Sequence, residues 1–196
     1  MGKDYKNNNK EKNKAKVDVI KIINKYYKIN SKSYNFLLAH SKAVAKKALE
    51  IAQNVPHLKP DLRFIEEAAM LHDIGIFKTK APGIGCYGNQ PYICHGVLGR
   101  VMLEQENLPK HALVCERHVG VGITIKDIET QKLPLPKRDM IPESIEEQII
   151  CFADKFFSKH EKYLTKEKDV NLIRTELLKF GIEKVKKFDE WVKKFK

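Results

Sequence analysis

The chain is poor in the features that announce several common protein classes. It has only four cysteines, Cys86, Cys94, Cys115 and Cys151, and no two are spaced C-x-x-C, which argues against a zinc finger or a thioredoxin-like redox site. No signal peptide stands at the polar, lysine- and asparagine-rich N-terminus, so the expectation is a cytoplasmic protein with reduced thiols. No apolar run is long enough to span a bilayer, and no membrane partner is expected. There is no internal repeat and no convincing strand alternation. The segment Val121-Gly122-Ile123-Thr124-Ile125 passes for a strand but lacks a partner.

What is present fits one helical domain. The 196 residues are 42% hydrophobic, enough for a sizeable core, and 32% charged. Lysine and arginine total 37 against 25 acids, a net charge of +12. The excess is concentrated at the ends, so the middle, where most of the histidines lie, is closer to neutral. A basic balance favours anionic partners in general, although a solvated lysine-rich surface is the commoner explanation.

Residues 1–16 read as a disordered basic tail, and residues 17–196 as a single domain with its core at 34–160. A short helix is expected over Val17–Ile23 and a long one from about Ser33 to Gln53, with Leu37, Val44, Ala48 and Ile51 on one face. Asp61 can cap a third helix ending near Gly75. Residues 79–94 form a Gly- and Pro-rich loop, after which helices resume at His95–Glu106 and Pro109–His118. Val119–Pro142 is irregular. Ser144-Ile145-Glu146-Glu147 fits a capping box for a helix reaching about Lys159, and two more helices fill 169–195, broken at Gly181.

The most informative residues are His72 and Asp73, which close the apolar run Ala68-Ala69-Met70-Leu71. A carboxylate buried there needs a compensating charge, and with a histidine beside it a metal ion is the natural one. His40 shares an apolar helix face with Val44 and Ala48. His95 opens a helix containing Val97, Leu98, Val101 and Met102, and His118 follows Leu113-Val114-Cys115. Asp154 ends the run Ile149-Ile150-Cys151-Phe152-Ala153. Singly, each has an ordinary reading as a satisfied core histidine, a helix cap or a salt-bridge partner. Together, two acids and four histidines on apolar faces are most simply satisfied by metal coordination.

The ordered series His40, His72-Asp73, His95, His118, Asp154 resembles the HD superfamily of metal-dependent phosphohydrolases in its two-metal form. Leu71-His72-Asp73-Ile74-Gly75 is similar to that family's signature, and Glu116–Thr124 with Ala153-Asp154-Lys155 resembles its HDIG branch. The resemblance implies an all-α HD-domain bundle with a central dinuclear site. It would put His40, His72, Asp73 and Asp154 on one metal, with Asp73 bridging to a second held by His95 and His118. Nitrogen and oxygen donors without thiolate favour iron(II) or manganese(II), with zinc or cobalt next, over magnesium or calcium.

Two divalent ions, two carboxylates and a bridging hydroxide leave such a site with excess positive charge, which suits an anion. Two metals also activate water and hold a phosphoryl oxygen. The expected activity is therefore hydrolysis of a small phosphorylated metabolite, a nucleotide by preference, by attack of the bridging hydroxide. The resembling families include dinucleoside tetraphosphate hydrolases, nucleotidases and cyclic nucleotide phosphodiesterases. Val119 after His118, and Ile123-Thr124 after Gly122, depart from the cyclic di-GMP pattern. A di-iron oxygenase on the same fold is the alternative, and a nucleic-acid-binding or scaffold protein using the basic tail is a third reading.

Lys78 is placed to neutralise phosphate charge, or else is solvated; Arg117 and Lys155 are weaker candidates. Gly83-Ile84-Gly85-Cys86-Tyr87-Gly88 matches G-x-G-x-x-G but follows a helix and leads into another loop, so a dinucleotide site is rejected. It reads as a connector or as a flexible segment over the pocket, where Tyr87 and Tyr92 could stack on a base. Cys115 and Cys151 read as packing residues, and His57, His111 and His160 stay outside the site. The C-terminal stripe Val185, Phe188, Val192 and Phe195, with Trp191, suits docking on the domain or on a second subunit of a homodimer better than a membrane surface. No specific nucleic-acid partner is expected.

Overall fold

A computed structural model describes residues 16–159 and 161–195. The expected disordered tail lies outside the described residues except for Lys16, and so does His160. Among the described residues no helix is long and apolar enough to cross a membrane.

Local signals set the first three helices. α1 (Val19–Tyr26) starts where the Asp18 carboxylate accepts the Lys21 amide at 2.9 Å. α2 (Lys32–Asn54) starts where the Ser31 hydroxyl accepts the Tyr34 amide at 3.2 Å. Its buried face carries Leu37, His40, Val44, Ala48 and Ile51, a stripe at helical spacing that seats α2 on the core. α3 (Leu62–Leu71) is capped by Asp61.

α3 stops earlier than expected. Beyond Leu71 the chain tightens, with Ile74 N–H on Leu71 O and Ile76 N–H on Asp73 O, both at 3.0 Å. The tightened turn brings Gly75 against the backbone of α4 (His95–Gln105), where no side chain fits.

α4 packs on α5 (Pro109–Arg117), and α5 packs on α3 and on α7 (Ile145–Lys155). α2 closes the bundle over α3 and α7. Two expectations of irregular chain are corrected between these helices. Residues 79–94 hold a small antiparallel hairpin, β1 (Lys80–Ala81) with β2 (Cys86–Tyr87), too short to show alternation in a sequence. The G-x-G-x-x-G run supplies the end of its connection and its second strand. Ile84 and Cys86 are buried and Gly88 lies against the Lys78 carbonyl, so it is a packed connector. Within 119–142 lies α6 (Ile125–Thr130), whose capping box uses Thr124 and Asp127 rather than a Glu or Gln. Ile123, expected without a strand partner, bridges Met140.

α7 was expected to reach Lys159 and ends at Lys155. Its box is half made: Ser144 accepts the Glu147 amide, while the Glu147 carboxylate turns to the Glu143 amide. α8 (Val170–Leu178) and α9 (Ile182–Phe195) meet at Gly181, whose φ of +116° suits glycine. α9 docks on the domain: Phe188, Trp191 and Phe195 are buried around Phe152.

Candidate metal centre

Five elements deliver six buried polar side chains to the middle of the bundle. His40 comes from mid-α2, His72 and Asp73 from the turn after α3, and His95 is the first residue of α4. His118 lies just past α5, and Asp154 sits one residue before the end of α7. All but His40 lie at helix ends, where the chain turns inward.

Three of the histidines are oriented by their own backbone. Nδ1 of His72, His95 and His118 lies 2.6, 2.7 and 2.7 Å from the carbonyl oxygens of Ala69, Tyr92 and Cys115, each three residues back. A carbonyl only accepts, so each Nδ1 carries a proton and each Nε2 is the ring atom turned to the centre. Nε2 of His95 and Nε2 of His118 face each other at 3.1 Å. Two lone pairs at that distance repel unless a cation or a proton lies between them.

Asp73 divides the cluster. Its Oδ1 lies 3.3 Å from His95 Nε2 and 3.4 Å from His118 Nε2. Its Oδ2 lies 3.2 Å from His40 Nε2 and 3.4 Å from His72 Nε2. Asp154 Oδ1 completes the second half, 3.0 Å from His40 Nε2 and 3.6 Å from His72 Nε2. Donors about 2.0–2.2 Å from a shared ion stand roughly 3.0–3.6 Å apart, which is the spacing seen here. Both Asp73 oxygens and the Nε2 atoms of His40 and His72 are buried without a well-aligned hydrogen bond. Buried donor atoms at ligand spacing, with Lys159 the one lysine reaching Asp73 among the described residues, fit divalent metal binding.

The charges agree. Burial disfavours ionised Asp73, but Lys159 and His72 outweigh it and hold the carboxyl well below its usual range. Burial likewise disfavours ionised Asp154, and Lys155 and Lys159 outweigh it. Burial pulls His72 down, yet Asp73 and Asp154 raise it to about 9. Burial takes His95 down to about 3, so its imidazole is neutral. Both carboxylates are therefore ionised, and His95 offers a free lone pair.

The structure places Lys78 away from the cluster and a different lysine against it. Lys78 lines an open groove with Tyr26, Phe77 and Tyr87, none of whose walls belongs to the cluster. Lys159, which the sequence reading missed, places Nζ 2.6 Å from Asp73 Oδ2. Nothing local distinguishes it from the chain's other lysines. It turns inward because α7 has already ended. Lys155 folds back to 3.0 Å from Asp154 Oδ2, while Arg117 pairs with Glu143 and Glu147.

The two tyrosines part company. Tyr87 is exposed on the hairpin, whereas the Tyr92 ring lies 4.8 Å from that of His95. Burial pushes the Tyr92 hydroxyl above its ordinary range, so it stays a phenol. Cys115 and Cys151 are packed as expected and also point their thiols at the carbonyls of Leu71 and His118, at 3.2 Å each, steadying the chain at two donors. His57 is exposed, and His111 is buried against Phe64 with Nε2 3.4 Å from Glu67, outside the cluster.

Comparison with known proteins agrees with this geometry. The chain is similar to two proteins named tRNA (cytidine(56)-2'-O)-methyltransferase. It is 35% identical over 125 residues to that of Picrophilus torridus, covering 63% of this chain and 32% of the relative. It is 30% identical over 167 residues to that of Thermoplasma volcanium, covering 85% of this chain and 44% of the relative. An uncharacterized protein of Methanocaldococcus jannaschii is 33% identical over 121 residues, 60% of this chain and 64% of the relative. The matched stretch thus spans less than half the length of either methyltransferase. No solved structure matches. The HD domain family matches residues 37–158, more than half of the chain and a stretch that contains all six clustered side chains. The chain belongs to the HD superfamily of metal-dependent phosphohydrolases.

Proposed function

We propose that the protein is a dinuclear phosphohydrolase that cleaves a phosphate ester or anhydride of a small metabolite. The observation that carries this reading is the division of Asp73, one oxygen toward His95 and His118 and the other toward His40 and His72. His40, His72, Asp73 and Asp154 would hold one ion, and Asp73, His95 and His118 the other. Iron(II) or manganese(II) suits this donor set best, with zinc and cobalt next. Such ions supply an activated water and a Lewis acid for the phosphoryl oxygens.

The chain's own residues do the rest. Lys159 holds an ammonium at the edge of the cluster, where it offsets phosphoryl charge. The Tyr92 phenol remains a hydrogen-bond donor beside His95. Lys155 steadies Asp154. This function needs neither a nucleic-acid nor a membrane partner.

The test is phosphate release from a panel of phosphorylated metabolites by anaerobically metal-loaded protein. Turnover that disappears with Asp73→Ala supports the proposal. Substrate-dependent oxygen uptake without phosphate release would overturn it in favour of a di-iron oxygenase.

The names of two relatives favour a second reading, in which the chain serves tRNA. The net charge of +12 is compatible with it. It requires tRNA binding that weakens steeply with salt. If binding is absent at low salt while small phosphates are hydrolysed, the second reading fails.

A further inference from the structure

A cavity of about 380 Å³ lies beside the cluster, walled by the Val119–Ile123 segment, by Phe157 and by the corner between α8 and α9. Lys155 belongs to its wall and also touches Asp154, so a single lysine side chain stands between the cavity and the nearest proposed ligand. Its charged side chains are already paired: Lys155 with Asp154, Lys168 with Glu176 at 2.7 Å, and Lys184 with Asp127 at 2.5 Å. Its amide, Gln131, is exposed at the solvent edge. Its apolar lining includes Ile93, Val119, Val121, Phe157, Ile173 and Leu177. Phe180 lines the cavity yet is 61% exposed, which puts it at the mouth, and Leu178 and Ile182 are exposed beside it.

A nucleobase or sugar in this space would give up its hydrogen bonds to water and find few partners, which is costly. An apolar group would release ordered water at no such cost. We propose that this cavity receives the organic part of the substrate, and that this part is apolar: an alkyl or single-ring aryl phosphate with its phosphate at the metal centre. The volume corresponds to about a dozen water-sized units, enough for a chain of roughly ten carbons or a substituted ring. The phosphate end rests on the hydrolase reading; the apolar end rests on the cavity alone.

Calorimetric titration of the full-length protein tests both ends. Metal-loaded protein is titrated with n-alkyl phosphates from methyl to decyl and with a nucleoside monophosphate. Metal-free protein is titrated with the matching n-alcohols. Affinity should rise about fourfold per methylene and level off once the cavity is full, in both series. Leu177→Trp should flatten the dependence and leave methyl phosphate binding unchanged. Phe180→Ser, at an exposed position that folding tolerates, should weaken only the longer chains with Tm unchanged.

A flat alkyl series, or a nucleoside monophosphate binding more tightly than decyl phosphate, overturns the inference. Chain-length-dependent alcohol binding without phosphate release from any ester supports the cavity and sinks the hydrolase. Phosphate release from nucleotides with a flat alkyl series does the reverse.

Discussion

A β-carbon on Gly75 would sit 2.5 Å from the Gly99 amide nitrogen and 2.2 Å from the His95 carbonyl oxygen. The turn carrying His72 and Asp73 is therefore pressed against the backbone that carries His95. Gly75→Ala should cost about 1–3 kcal/mol. For a chain of this size each kcal/mol lowers Tm by roughly 2–4 °C. Metal content should fall with it, because the turn and α4 must separate. Gly83→Ala, whose β-carbon would meet nothing within 4 Å, should change stability by no more than about 0.5 kcal/mol. Thermal unfolding and elemental analysis of the two variants check this.

The shared carboxylate gives the next expectation. Asp73→Asn keeps the side chain's shape and removes its charge, so both ions should be lost. Asp154→Asn should weaken chiefly the ion that shares His40 and His72. His57→Gln, at an exposed histidine away from the cluster, should leave the metal content of wild type. Metal-to-protein ratios by elemental analysis decide among these outcomes.

Much of this centre was legible in the sequence because its donors violate a rule. Polar residues on apolar helical faces need partners, and His40, His95, His118 and Asp154 stood out for that reason. Lys159 did not, because a lysine near a helix end is ordinary. Its placement depends on α7 stopping at Lys155, and the Ser144 signal marks where that helix starts but not where it stops. The hairpin was hidden by its two-residue strands, and α6 by an Asp in the capping-box position.

Exchange of the lysines separates the two candidates. Lys159→Gln should lower kcat by about 10²–10³, the usual cost of losing one charge-stabilising donor. Lys78→Gln should leave kcat unchanged, since Lys78 lines the separate groove. Steady-state kinetics on a substrate found in the phosphate-release panel provides the measurement, with metal content confirmed in both variants.

Acid stability should carry a signature of Asp127. Burial raises its carboxyl, but Lys184 and Thr124 outweigh burial and hold it below its ordinary value of 3.8. A depressed folded value stabilises the protein fully above the ordinary one, and that contribution disappears as pH falls through the folded value. Asp127→Asn should therefore be less stable than wild type at neutral pH and lose less stability on acidification. Tm followed from about pH 6 to about pH 2.5 reads the difference.

The six clustered donors are drawn from separate stretches between residues 40 and 154, with His72 and Asp73 as the one adjacent pair. No short fragment of the polypeptide holds enough of them to grip an ion tightly. An ion held there certifies that distant parts of the chain have met correctly, so the metal content of a preparation doubles as a gauge of how many molecules completed folding.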